Sequence, residues 1–376
     1  MSSAAFVPDP SSIEDVTIDW LHSAMPATAF KGRTVKTLQI NPIGVGQGFL
    51  SSIFKLTVVF AEEEGVGPMD IVFKLLPSDP EASAFVCENQ LHLREANFYR
   101  LLSDDPRLCA VRACAPSSLL TSPNALVIEH VSGTVLPIER SLTLDGLQQV
   151  FGALGLLHNP FWTPAASLDS ESPTPLLTGF NPQRTEGLLL SCFHSTPELE
   201  LLLEALHAVH SQQVLDKAFG AAITADQVAR TVDAFAGRSY CGVRTAVHGD
   251  LWSGNILWRP SPCLVDWQFV GFSNPALDLA LLLCSSCDPA LYLTRAARQS
   301  LWEVYLAAHR SIPQGRPVAW LADDVETAFI HALPYVWLIL MASVTAWVRP
   351  TTLTIVANRY AAVLSLLIEH GSFTLN

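Results

Sequence analysis

Three polar side chains stand close together in the chain where chemistry could be done: Asp250, Asn255 and Asp266. They lie in Ala246-Val-His248-Gly249-Asp250-Leu-Trp252-Ser-Gly254-Asn255 and in Leu264-Val265-Asp266-Trp267-Gln268. Moving a phosphoryl group from a nucleotide to an alcohol needs one carboxylate to take the alcohol's proton. It also needs an amide and a second carboxylate to hold magnesium against the phosphates. Asp250 suits the first role, and Asn255 with Asp266 the second. The apolar runs Thr245 to Val247 and Cys263 to Val265 read as strands, which would set all three polar groups at the mouth of a hairpin. Asp and Asn also cap ordinary turns, so a short fragment of this pattern is weak and the whole string carries the signal.

The step from Asp250 to Asn255 matches the D-x-x-x-x-N of kinase catalytic loops. Here His-Gly-Asp replaces His-Arg-Asp, and Trp-Gln follows the second Asp in place of Phe-Gly. In this form the pattern resembles the aminoglycoside phosphotransferase and choline kinase superfamily of small-molecule kinases. HGDLWSGN with DWQ looks most like its ecdysteroid kinase-like (CHK kinase-like) branch, and fructosamine kinases share a very similar HGDLW loop. The resemblance covers roughly residues 40 to 285. It implies an α+β, bilobal protein-kinase-like fold: a small antiparallel β lobe with one main helix over residues 1–131, opened by an N-terminal helix, and a larger, mainly helical lobe over 132–376. ATP and Mg2+ are the cofactors it implies, with Asp250 and Asn255 catalytic and Asn255 and Asp266 on the metal. His248 would brace the loop, and so would Asp278, the matching aspartate of Asp278-Leu-Ala. Near a helix start, Asp278 also suits the helix dipole.

The elements that must position these groups precede them. After a strand from Thr34 to Ile40 come Gly44, Gly46, Gly48 and then Ser51, ahead of a second strand, Ile53 to Phe60. Alternating glycines let backbone approach phosphates without Cβ interference, although many glycine hairpins bind nothing. A third strand, Asp70 to Leu76, carries Lys74 among apolar neighbours; buried, it needs an anion, and a nucleotide's phosphates with a helix carboxylate would supply one. One helix is expected over Glu81 to Leu102. It carries Glu95, three residues before Phe98-Tyr99 as in the E-x-x-F-Y of the ecdysteroid kinase-like family, and a rival, Glu88. Strands follow around Val111 to Leu120 and Ala125 to Glu129. By the same resemblance, Glu129 and Val131 would hold the adenine edge through main-chain groups.

Helices dominate the remainder. Ser11-x-x-Glu14 reads as a capping box for a helix reaching Met25, Thr143 to His158 as an amphipathic helix, Thr196 to Phe219 as another, and Thr224-x-x-Gln227 as the start of a third. His158 reads as a core histidine with a local hydrogen bond. Later helical patterns run through about 289–309, 323–347 and 352–369. Trp320, Tyr335, Trp337 and Trp347 fall among them, as acceptor-pocket aromatics or, more simply, as core. The apolar window Ile330 to Val348 holds His331 and Pro334 and lacks flanking positive charge, so it reads as a buried helix, and no membrane insertion is expected.

Acidic side chains outnumber basic ones by 35 to 22, a formal charge of −13, which disfavours a nucleic-acid partner. Eight cysteines lie scattered in apolar stretches; Cys284-Ser-Ser-Cys287 has no second pair for zinc, and free thiols in a cytoplasmic protein are expected. The histidines at 194, 207 and 210 lack a metal-site pattern. The N-terminus shows no secretory signal. Only about ten residues separate Trp267 from the next helix, too few for an activation loop and its docking segment, so the partner expected is a small hydroxylated molecule. Steroid-like, amino-alcohol, aminoglycoside-like and sugar-amine acceptors all fit. A pseudokinase, an interaction module without turnover, is the rival from another class, and its usual mark is loss of one of Lys74, Asp250, Asn255 or Asp266.

Overall fold

Strands rich in β-branched and aromatic residues follow a short N-terminal helix and pair as an antiparallel sheet of five in the order β1-β2-β3-β5-β4. These are β1 (Val35–Pro42), β2 (Ser52–Phe60), β3 (Met69–Leu75), β4 (Ser118–Thr121) and β5 (Ala125–Glu129). The computed structural model describes residues 10–26, 28–43, 50–61, 67–104, 115, 118–121, 125–164, 196–211, 229–231, 243–312 and 319–371. The chain forms two compact units, Met1–Ser132 with Asp266–Gln268, and Gly133–Val265 with Phe269–Asn376.

In the first unit, period-two alternation decides which way Lys74 points. Ile71, Phe73 and Leu75 are buried with Leu56, Val58, Ala125 and Val127 in a core that Val16, Leu21 and Met25 complete, the last two on or next to helix α1 (Ile18–Ala24). Lys74 therefore faces away from that core. The expected box at Ser11 and Glu14 is displaced by one residue: Asp15 accepts from the Ser11 and Ser12 N–H groups, both at 2.9 Å. That closes a 3-10 turn over Ile13–Asp15, and the helix proper begins after Thr17, whose hydroxyl accepts from the Trp20 N–H.

The single helix expected from Glu81 to Leu102 is two, α2 (Pro80–Glu88) and α3 (Leu91–Asp104). Asn89 turns its side-chain amide onto the Phe85 carbonyl at 2.9 Å, and Gln90 adopts a left-handed φ of 55°. Such a residue ends a helix, normally as glycine, and no glycine marks this break.

The second unit is helical, with two small sheets, β10-β9-β6 and β11-β8-β7. Helix α4 (Leu144–His158) starts at Thr143, which caps the Gly146 N–H, and packs on α7 (Arg295–Arg310). At that contact a Cβ on Gly155 would lie 2.4 Å from the Tyr305 carbonyl oxygen. Helix α5 (Pro197–His207) ends well short of Phe219, and Thr224-x-x-Gln227 lies outside the described residues. Helix α6 (Ala276–Ser286) is buried at every position. Arg298 and Trp302 of α7 both bond Glu326 of α8 (Ala322–Ala342), tying the two helices together.

Helix α8 is long and apolar enough to cross a membrane, but 67% of its apolar window is buried within the protein, as a core helix is. The short α9 (Val344–Trp347) and then α10 (Leu353–Glu369) close the chain. Trp320, Tyr335 and Trp337 are core, whereas Trp347 is half-buried with its ring 5.5 Å from that of Trp252. Cys263, Cys284 and Cys287 are buried free thiols.

One sequence expectation fails outright. The runs at Thr245 and Cys263 are not partners in one hairpin: β8 (Val243–Val247) pairs with β7 (Thr163–Pro164) and β11 (Gly271–Ser273), while β10 (Pro262–Leu264) pairs with β9 (Ile256–Trp258). The chain leaves β8, makes the polar loop and a 3-10 turn at Ser253–Asn255, and enters a second sheet through β9, itself paired with β6 (Thr134–Val135).

Candidate active site

Within the first unit, Lys74 Nζ donates to Glu95 Oε2 at 2.6 Å and to Asp266 Oδ1 at 2.7 Å. Lys74 and Glu95 are buried, and the Asp266 side chain keeps 27% of its surface exposed. Burial alone would pull the lysine down, but the carboxylates of Asp266 and Glu95 outweigh it and hold the ammonium above its ordinary value. Burial and the nearby Asp266 charge push the Glu95 carboxyl up, against the pull of Lys74. Glu88, the rival, is exposed on α2.

The run Glu95-x-x-Phe98-Tyr99 has a physical reason on one face of α3, where residues three and four apart are neighbours. Phe98 stacks on Trp267 with ring centroids 4.2 Å apart, Tyr99 donates its hydroxyl to Glu95 Oε1 at 3.4 Å, and the Trp267 N–H donates to the same oxygen at 3.3 Å. Asp266 sits at φ 66°, a left-handed conformation rare outside glycine, and Gln268 donates to its Oδ2 at 3.4 Å. Lysine, glutamate and the two residues after Asp266 together hold that strained turn.

Ser51 Oγ lies 2.8 Å from the Leu50 carbonyl and 2.9 Å from His92 Nε2. Glu129 ends β5, and Val131 is buried just beyond it. Gly44, Gly46 and Gly48 lie outside the described residues.

Within the second unit, Asp278 is fully buried on α6 and aims both oxygens at the loop after β8. Its Oδ2 accepts from the His248 N–H at 2.7 Å and its Oδ1 from the Gly249 N–H at 2.9 Å. Gly249 has φ 83°, and a Cβ there would lie 2.4 Å from the Phe269 carbonyl oxygen, so arginine or any other side chain is excluded between His248 and Asp250. His248, also buried, accepts from the Asp250 N–H through Nδ1 at 3.3 Å; Nε2 therefore carries the proton and donates to the Val265 carbonyl at 2.8 Å.

Asn255 donates its side-chain amide to the Asp250 carbonyl at 2.8 Å and to Asp250 Oδ2 at 3.2 Å. With the nitrogen end so engaged, the Asn255 amide oxygen is the end left for a hard cation such as Mg2+. Among the described residues no cluster of three or more His, Cys, Asp or Glu side chains gathers as a metal cage.

Two supports escape a sequence reading. His158 is not held locally: its Nε2 lies 3.3 Å from Asp278 Oδ2 and its Nδ1 2.9 Å from the Tyr305 hydroxyl, so it steadies the carboxylate that pins the loop. Ser286 Oγ accepts from the Ser253 N–H at 2.8 Å, fixing the loop's far end to the C-terminus of α6. The partners are 120 and 33 residues apart, and no local pattern signals either pairing. Of the histidines with no expected role, His207 is exposed and His210 bonds the Ala361 carbonyl.

The profile of the phosphotransferase enzyme family matches residues 58–318. Among solved structures, choline kinase from Cryptosporidium parvum Iowa II is similar at 16% identity and a TM-score of 0.52, covering 96% of this chain and 97% of that one. Ethanolamine kinase from Plasmodium vivax is similar at 14% identity and a TM-score of 0.48, covering 89% of this chain and 83% of that one. The first likeness supports the fold, that of kinases, and the second is too distant to add to it. No curated protein matches the sequence.

Proposed function

The chain belongs to the phosphotransferase enzyme family, and on that premise we propose that it moves the γ-phosphoryl group of ATP to a hydroxyl of a small molecule. The observation that carries this is Lys74, a buried ammonium shared by Glu95 and Asp266 at 2.6 and 2.7 Å. A lysine so held keeps its charge and a fixed position, which is what contact with the α- and β-phosphates needs.

Asp250 takes the proton of the acceptor hydroxyl as that oxygen bonds to the γ-phosphorus, the bond to the β–γ bridging oxygen breaks, and ADP leaves. Asn255 holds the Asp250 carboxylate in place and, with Asp266, would supply oxygen ligands for Mg2+, which when bound would neutralise charge on the phosphates. Ser51 and the glycines at 44, 46 and 48 take the phosphate end, and main-chain groups of Glu129 and Val131 the adenine edge. His248 and Asp278 keep the loop in register without touching substrate.

Only nine residues separate Asp266 from the start of α6, and they form a 3-10 turn and β11. That supports a small acceptor over a protein chain. We place the protein in the ecdysteroid kinase-like branch on the HGDLWSGN and DWQ strings, with a steroid-like, amino-alcohol, aminoglycoside-like or sugar-amine acceptor. The test is ATP consumption with Mg2+ across hydroxylated compounds of those four classes, with Asp250→Asn in parallel. Removing a positioned base costs about 10²–10⁴-fold in rate. Phosphorylated product from the wild type that falls by that factor in the variant is expected; product undiminished in the variant would overturn the role of Asp250.

A further inference from the structure

His92 has no part in the roles above, yet it touches the nucleotide end of the first unit. It lies on α3, three residues before Glu95, with 1% of its surface exposed, and its Nε2 reaches Ser51 Oγ at 2.9 Å. Ser51 in turn stands one residue ahead of β2 and also contacts the Leu50 carbonyl at 2.8 Å.

Counting protons assigns this contact. A carbonyl oxygen only accepts, so the one hydroxyl hydrogen of Ser51 goes to Leu50, and Oγ must accept from His92 Nε2–H. The reverse, with Oγ–H donated to the imidazole, would leave two acceptors facing each other at Leu50. Because the imidazole supplies its own proton, the Ser51 hydroxyl keeps a hydrogen that can turn from the Leu50 carbonyl to a phosphate oxygen while its oxygen stays anchored.

We infer that His92 is the positioning residue for Ser51 in nucleotide binding: it holds the serine oxygen from the same helix that carries Glu95, so one rigid element sets both Ser51 and the partner of Lys74. This rests on the phosphotransferase reading. It adds a residue outside the motifs, one turn before the glutamate, where the sequence Leu91-His92-Leu-Arg-Glu95 gives no hint of chemistry.

The experiment is direct measurement of ATP affinity with Mg2+ by titration calorimetry, which needs no acceptor. The proteins compared are wild type, His92→Ala, His92→Gln, Ser51→Ala and the double variant H92A/S51A. Loss of one neutral hydrogen bond predicts an affinity about threefold to tenfold weaker in H92A. H92Q, whose amide nitrogen can donate from nearly the same place, is expected within about twofold of wild type. The double variant is expected no weaker than the weaker single one, because the two residues act through one contact.

Additive losses in the double variant, failure of glutamine to rescue, or an unchanged affinity in H92A would each overturn the inference while leaving the enzyme reading intact. A wild type that binds no ATP would overturn both.

Discussion

Adding one methyl group to each of two glycines of the second unit should change stability in opposite directions. Gly249 sits at φ 83°, and a Cβ there would meet the Phe269 carbonyl oxygen at 2.4 Å and its carbon at 3.1 Å. Alanine in the left-handed region costs about 1–2 kcal/mol, and forcing a backbone carbonyl aside in a packed interior about 1–3 kcal/mol more. Gly152 lies inside α4, and a Cβ there meets nothing within 4 Å. Alanine in that helix should gain about 0.8–1 kcal/mol by propensity alone.

At roughly 2–4 °C per kcal/mol for a unit of this size, Gly249→Ala should lower the melting temperature by about 4–20 °C and Gly152→Ala raise it by about 2–4 °C. Scanning calorimetry on both variants reads the pair without any knowledge of the acceptor. The Gly249 N–H also bonds Asp278, so the strained variant should lose turnover beyond what its stability explains. A Gly249→Ala protein melting within about one degree of wild type would refute the reasoning, and so would equal losses from both substitutions.

Two further predictions concern buried titratable groups. Replacing Asp278 by Asn keeps one acceptor but points an amide N–H at a backbone N–H, His248 or Gly249; kcat should fall about 10²-fold or more while nucleotide affinity, measured by calorimetry, stays within severalfold of wild type. His309 is fully buried, and burial together with the nearby His158 pushes it down from 6.5 to about 3. A histidine lowered on folding contributes stability that is complete above pH 6.5 and is lost as pH falls towards 3, at up to about 1.4 kcal/mol per pH unit. Urea unfolding at pH 7.5, 6 and 5 should show that slope in wild type, and a flatter one in His309→Asn.

What the sequence made legible follows the range of the forces involved. The strand carrying Lys74 and the helix start at Thr143 were legible, because a strand's run of apolar residues and a helix's first turn are both decided within a short stretch of chain. The supposed hairpin of Thr245 and Cys263 was misread because a strand's partner is chosen by what else is in the fold. Two apolar runs flanking a polar loop look the same whether they pair with each other or with β11 and β9. The break between α2 and α3 was hidden for a related reason. Asn89 and Gln90 are ordinary helix-surface residues, and only an amide turned onto Phe85 with a left-handed Gln90 ends the helix there.

The site shows the same division one level up. Asp250 and Asn255 are close in sequence because one short loop holds both, with the Asn255 amide bonded to the Asp250 carbonyl and carboxylate. The groups that fix that loop are remote: Asp278 and Ser286 on α6, then His158 on α4 with Tyr305 behind it on α7. Buried polar groups must be satisfied, so each added support demands another, and the chain of bonds runs outward from the loop until it reaches a backbone atom or a hydroxyl that closes it. Thr245 does this by donating its hydroxyl to the His158 carbonyl at 2.7 Å, returning the network to the strand from which the loop departs. The geometry at Asp250 is therefore a property of three helices and a strand. A substitution at Tyr305 or Thr245, with no atom near a reacting group, should act on turnover through Asp278, and a double variant of either with Asp278→Asn should lose little beyond the loss of D278N alone.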